Sequence, residues 1–130
     1  MLTIYLVELY TVEKDRKRKY SALMKKIHKS LRQHKKDVPE LISYRTYEAG
    51  TEGSLTSYVE MFEFANQKSM NRFFGKFSKM QWLRDLQQDF FELVPKRTMQ
   101  VLTWIEFLKD EWLTDSTIQR GQWKAGKRES

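Results

Sequence analysis

Residues 2–10, Leu-Thr-Ile-Tyr-Leu-Val-Glu-Leu-Tyr, are β-branched, aromatic and almost unbroken in hydrophobicity, the pattern of a central strand covered on both faces. From about Asp15 to His34 the period changes. Tyr20, Leu23, Met24, Ile27 and Leu31 recur on one helical face, and Lys and Arg fill most of the rest. Pro39 cannot continue a helix, so this one ends before it. Leu41–Glu48 and Ser54–Phe64 are extended-type runs, and Ala-Gly-Thr-Glu-Gly between them supplies the glycines for a hairpin loop at 49–53. Met70, Phe73, Phe74, Phe77 and Met80 predict a second amphipathic helix. Leu83, Leu86, Phe90 and Leu93 continue it, after a bend, as a shorter helix that Pro95 stops. Thr98–Leu108 then reads as a fourth strand, and 113–130 lacks sustained periodicity and reads as an appended tail.

The order β-α-β-β-α-β is the split βαβ, or ferredoxin-like, unit of the α+β class. Right-handed crossovers put both of its helices on one face of an antiparallel sheet. The other face is left open. With residues such as Trp104 and Phe62 on it, that face would be a sizeable apolar patch, which implies a partner.

At 130 residues the chain matches one domain, set here at 1–112 with the tail beyond. Apolar residues at 40% and aromatics at 14% give ample material for a core. The chain has no cysteine, so disulfides and thiolate metal sites are excluded and a reducing cytoplasm is the simplest location. No run approaches the roughly 18 apolar residues of a membrane span, and no secretory leader is evident.

Charge is uneven. Between Glu13 and Lys36 eleven Lys/Arg face two acids, giving +9 of the total +7, so the rest of the chain sums to −2. The tail adds Arg120, Lys124, Lys127 and Arg128 against Glu129. Lys17, Lys25, Lys29 and Arg32 are the candidates for an anion-binding face, set against the plainer reading of a solvated helix surface.

Tyr58-Val-Glu-Met-Phe-Glu-Phe64 running straight into a helix at Asn66, and the Trp82-Leu83 to Phe91-Glu-Leu-Val94 helix leading into the last strand, carry a resemblance. Over residues 1–108 the chain resembles the dimeric α+β barrel superfamily, which includes antibiotic-biosynthesis monooxygenases, small haem-degrading monooxygenases, stress-responsive barrel proteins and NIPSNAP-like proteins. No subfamily is singled out. The resemblance implies a homodimer, or a higher oligomer, whose sheets pack face to face, with a cleft between sheet and helices in each subunit. Haem-degrading members carry a haem-ligating His on the second helix, and no His lies between Asn66 and Val94 here, which argues against haem. No cofactor or metal is expected.

Strand alternation puts Glu8 with Leu6 and Tyr10, Arg45 with Tyr47, Tyr58 and Glu60 with Phe62, and Trp104 and Glu106 with Leu102. If these sides coincide, Glu8, Arg45, Glu60 and Glu106 meet among aromatics. Glu8, Arg45, Tyr58, Glu60, Trp104 and Glu106 are therefore the candidate ligand-binding set. Buried carboxyls could handle protons there and Arg45 could hold an anion. The competing reading has Arg45 pairing with a carboxylate to fix strand register or a dimer contact.

His28 and His34 lie some 120° apart on the first helix and cannot clamp one metal; His34, near the helix end, suits a capping role. The Met/Phe stripe of the second helix is at core spacing. Nucleophile-elbow, Walker and dinucleotide motifs are absent. The expected function is a small-molecule-binding homodimer, with a cofactor-independent oxygenase or isomerase among its enzyme forms. The alternatives are a nucleic-acid or anionic-partner module using helix 14–36 and the tail, or an assembly protein.

Overall fold

The computed structural model describes residues 3–110. Seven main elements follow in order: β1 Ile4–Glu13, α1 Lys17–Gln33, β2 Ser43–Glu52, β3 Leu55–Phe64, α2 Gln67–Gly75, α3 Gln81–Leu93 and β4 Gln100–Ile105. The four strands form one antiparallel sheet ordered β2-β3-β1-β4. This is the ferredoxin-like topology, with the expected bent second helix resolved into α2 and α3 around a short turn at Lys76–Ser78.

All three helices pack on one face of the sheet. Tyr20, Leu23, Met24 and Ile27 of α1 meet Tyr10, Val12 and Tyr58 of the sheet and Leu86 and Phe90 of α3 in one core cluster. Ile4 and Phe64 meet Met70 and Phe73 of α2 and Leu83 of α3 in a second. Local chemistry fixes the helix ends. Asn66 caps α2 by accepting the Ser69 N–H at 2.8 Å. His34 closes α1, its backbone N–H reaching Ser30 O at 2.9 Å and its imidazole Nδ1 sharing that carbonyl at 3.0 Å, with the ring stacked on Trp82. The loop after α1 is pinned to α2 by Lys76, whose Nζ donates to Asp37 O and to Glu40, both at 2.7 Å.

Strand lengths differ from those the sequence predicts. The hairpin loop is only Gly53-Ser54, and Gly53 sits at φ 62, where any Cβ would be strained. The expected loop residues 49–52 are strand, with a one-residue irregularity in pairing between Glu48 and Gly50. β1 extends to Glu13, and β4 is shorter than expected, its pairing prolonged by the Glu106 N–H to Thr3 O at 3.0 Å. The tail at 113–130 lies outside the described residues.

Candidate functional site

The two central strands set the chemistry. β1 and β3 place Glu8 directly opposite Glu60, on the helix-covered face. Alternation puts Tyr10 and Tyr58 one step along on the same face, and Phe62 one step the other way. From β2, Tyr44 pairs with Phe62 and Thr46 with Glu60, so these too face the helices. Above them is a cavity of about 80 Å³ between sheet and helices. Its floor is Glu8, Glu60 and Tyr44, and its walls are apolar, with Phe73 and Phe74 of α2 and Leu83, Leu86 and Phe90 of α3. Gln87, exposed on α3, stands at its rim.

Glu60 is 3% exposed, one of few buried polar side chains among the described residues. Its carboxyl accepts a hydrogen bond from the Tyr44 hydroxyl and shares a second with Glu8. Burial, and then the adjacent Glu8 charge, push its pKa well above the usual carboxylate range, more than the phenol donors pull it down. Burial raises Glu8 as well. Two carboxyls this close in an apolar setting cannot both ionise cheaply, so the pair retains a proton where ordinary carboxylates have lost theirs.

A phenol cluster supports the pair. The hydroxyls of Tyr10 and Tyr20 lie 2.6 Å apart, and the Tyr20 and Tyr58 rings are 4.2 Å apart, while Tyr58 donates to Glu48 at 3.3 Å. Burial raises the pKa of Tyr10, Tyr20 and Tyr44, so all three remain neutral donors at ordinary pH. His28 of α1 packs its ring 4.7 Å from that of Tyr44 and bonds Thr46 Oγ1 at 3.3 Å through Nε2; burial and then Arg32 hold its pKa below the usual value. Chemically, the arrangement can give a proton to, or take one from, a small molecule seated on the phenylalanines.

Of the six residues the sequence nominates, three share this cleft side: Glu8, Tyr58 and Glu60. Arg45 does not. It pairs with Met61, on the open face, where its guanidinium lies 3.8 Å from Glu63. Trp104, opposite Tyr5, is also on the open face, and Glu106 lies beyond the end of β4. Phe62, expected on the open face, lines the cavity instead.

The bulge explains the error over Arg45. From the turn, Glu52 pairs with Leu55 and Gly50 with Ser57, but Glu48 then pairs with Tyr58, so Ala49 is the extra residue. Were Ala49 paired regularly, Arg45 would stand opposite Phe62 and face the cleft; with Ala49 bulged out, Tyr44 does. Sequence reasoning therefore missed Tyr44, and it also passed over His28 and the Tyr10–Tyr20 bond. The helix-face period that buries Tyr20 was visible, but its phenol partner ten residues back was not.

Of the proposed anion-binding residues, Lys25, Lys29 and Arg32 are exposed on α1, whereas Lys17 turns toward β2, its Nζ 3.8 Å from Glu48. Among the described residues no group of His, Cys, Asp or Glu could hold a metal ion, and no helix is long and apolar enough to cross a membrane.

No family model and no curated protein matches the sequence. Solved structures do match. A candidate antibiotic biosynthesis monooxygenase from Bordetella bronchiseptica superposes with TM-score 0.61 at 9% identity, over 83% of this chain and 100% of that one. A second candidate monooxygenase of this kind, from Nitrosomonas europaea, gives 0.60 at 7% identity over 81% and 90%. A NIPSNAP family protein from Agrobacterium tumefaciens gives 0.58 at 16% over 84% and 95%. At such identities the likeness carries the fold and not the activity. The chain thus has the ferredoxin-like α+β fold that antibiotic-biosynthesis-monooxygenase-like and NIPSNAP proteins share, and on its helix-covered side it sets two facing carboxyls in an aromatic cleft.

Proposed function

We propose that the cleft binds a small organic molecule and that the Glu8–Glu60 pair exchanges a proton with it, without a resident cofactor, as a cofactor-independent oxygenase or isomerase requires. One observation carries this reading. Glu60 is buried, protonated beyond the usual carboxylate range and hydrogen-bonded to Tyr44 at the floor of a cavity otherwise walled by apolar side chains. A carboxyl kept in its acid form in an apolar pocket is costly to maintain and well suited to acid–base work. The protein as isolated from its own host, examined by native mass spectrometry, should carry a small-molecule adduct. Glu60→Gln should weaken its retention, whereas Arg45→Ala, on the opposite face, should leave it unchanged; equal retention in both variants would remove the site.

The same reading takes the protein to be a homodimer packed open face to open face. Tyr47 and Trp104, each 47% exposed, and Leu55 lie on the sheet side away from the three helices, where a second copy would bury them. Higher oligomers would extend the same principle. A cytoplasmic location accords with a chain lacking cysteine.

A second reading draws on Lys25, Lys29 and Arg32, exposed along one stripe of α1 and suited to phosphates. Titration of RNA and DNA at two salt concentrations tests it, and no binding at low salt ends it.

A further inference from the structure

The charge inside the cleft is opposite to the charge of the protein. The chain is +7 overall, yet the cavity lining holds no Lys, Arg or His, and its ionisable members are Glu8, Glu60 and Tyr44. The one cation that strand alternation could have delivered, Arg45, is turned to the far face by the Ala49 bulge. Two carboxyls therefore face each other without a counter-charge, against walls of phenylalanine and leucine. An uncompensated buried anion is expensive, and the cleft by itself can answer only by holding protons. A ligand could answer instead.

We propose that the ligand of this cleft is a small organic cation, an amine bound in its ammonium form with its nitrogen at Glu8 and Glu60 and its carbon skeleton on the phenylalanine wall. The proposal rests on the cleft being a ligand site, as argued above. It adds the ligand's charge class. Carboxylates supply charge-assisted acceptors for N–H donors, and a phenylalanine ring that meets the ligand with its face, among Phe62, Phe73, Phe74 and Phe90 of the lining, favours a cation over an anion. An anionic ligand would meet two acids and no base. A neutral alcohol could donate one hydrogen bond to a carboxylate but would leave its charge uncompensated. The volume of about 80 Å³ is roughly half that of an apolar cavity known to take benzene, which suits a head group of about four or five heavy atoms.

Binding would be coupled to proton release. The groups facing the pair are Tyr10 from β1, Tyr44 from β2 and Tyr20 from α1, all neutral phenols, with His28 of α1 behind the Tyr44 ring. α2 and α3 add no charged side chain to the lining. An arriving ammonium therefore displaces the proton held by Glu8 and Glu60, and by linkage lower pH weakens its binding.

The test uses the full chain and four probes followed by NMR titration at pH 7: isobutylamine, isobutanol, isobutyrate and xenon. The amine is expected to bind at least about tenfold more tightly than isobutanol, and isobutyrate not to bind. Calorimetry in two buffers of different ionisation enthalpy should show protons released as the amine binds. Glu8→Gln and Glu60→Gln should each weaken the amine about tenfold while xenon still perturbs the core resonances, which certifies an intact cavity in each variant. Isobutanol binding as well as the amine, or amine affinity unchanged in both variants, overturns the cationic ligand and leaves the cleft reading standing if xenon binds. If no probe binds, xenon included, both fall together.

Discussion

Replacing Glu60 with Gln tests the central physical claim without reference to any ligand. Glutamine keeps the shape of the side chain, can accept the Tyr44 hydroxyl through its carbonyl oxygen and can donate to Glu8 through its amide, so packing at the floor of the cleft should be preserved. What it removes is a titration. In the folded protein Glu60 binds its proton more tightly than in the unfolded chain, because burial and the Glu8 charge disfavour the carboxylate. Below the unfolded carboxylate pKa, about 4.3, both states are protonated and nothing is lost. Above it the unfolded state releases a proton that the native state keeps, so stability falls as pH rises, until the folded pKa is passed. One such proton contributes a slope of up to about 1.4 kcal/mol per pH unit, which for a domain of this length is about 3–6 °C in Tm. Glu40 titrates in the opposite sense and is common to both proteins, so the informative quantity is the difference between them. Urea unfolding of wild type and Glu60→Gln from pH 4 to pH 8 should give curves that diverge progressively, the variant becoming the more stable toward pH 8. Parallel curves across that range would refute the claim that Glu60 is held in its acid form by the fold.

Four further outcomes follow from the same geometry. Phe73, fully buried between α2 and β3, should cost about 3–5 kcal/mol in urea unfolding when cut to Ala. Burial alone would raise the pKa of Glu40, but its hydrogen bond to Lys76 and the nearby Arg72 charge outweigh this and lower it; wild type should therefore lose stability as pH falls from the unfolded Glu value through the folded one, and Glu40→Gln should flatten that limb of the curve. Gly53→Ala, at φ 62 in the hairpin turn, should cost about 1–2 kcal/mol, read as a fall in Tm. If the protein dimerises through its open face as proposed, Trp104→Glu should shift sedimentation from dimer toward monomer, and a dimer unchanged by it would exclude that face as the interface.

The sequence disclosed the architecture because its periods are clean. The α1 stripe of Tyr20, Leu23, Met24 and Ile27 and the α3 stripe of Leu83, Leu86 and Phe90 are the residues the structure buries, and with the strand runs between them the topology follows. Within a strand, alternation tells which residues share a side but not which side it is. For β1 and β3 this ambiguity misplaced Phe62 on the open face but did not affect the pairing of Glu8 with Glu60, which belong to the sides that pack on the helices. For β2 it was decisive. A bulge leaves little trace in a run such as Glu48-Ala-Gly-Thr-Glu52, whose glycine reads equally well as loop, so Arg45 was assigned to the cleft and Tyr44 overlooked. Contacts between elements, such as the Tyr10–Tyr20 hydroxyl pair or His28 against Tyr44, come from tertiary packing and have no local signature.

Ala49 acts as a parity bit for the second strand. Drawing that single residue into regular pairing with Tyr58, while keeping the Gly53-Ser54 turn, would move every side chain before it to the opposite surface of the sheet, bringing Arg45 opposite Phe62 and Tyr47 opposite Glu60. An acidic hollow would acquire a guanidinium, and its ligand preference would be expected to change sign without any substitution at Glu8 or Glu60. The pairing state of one residue near a hairpin tip thus separates two chemically opposite binding sites on one scaffold.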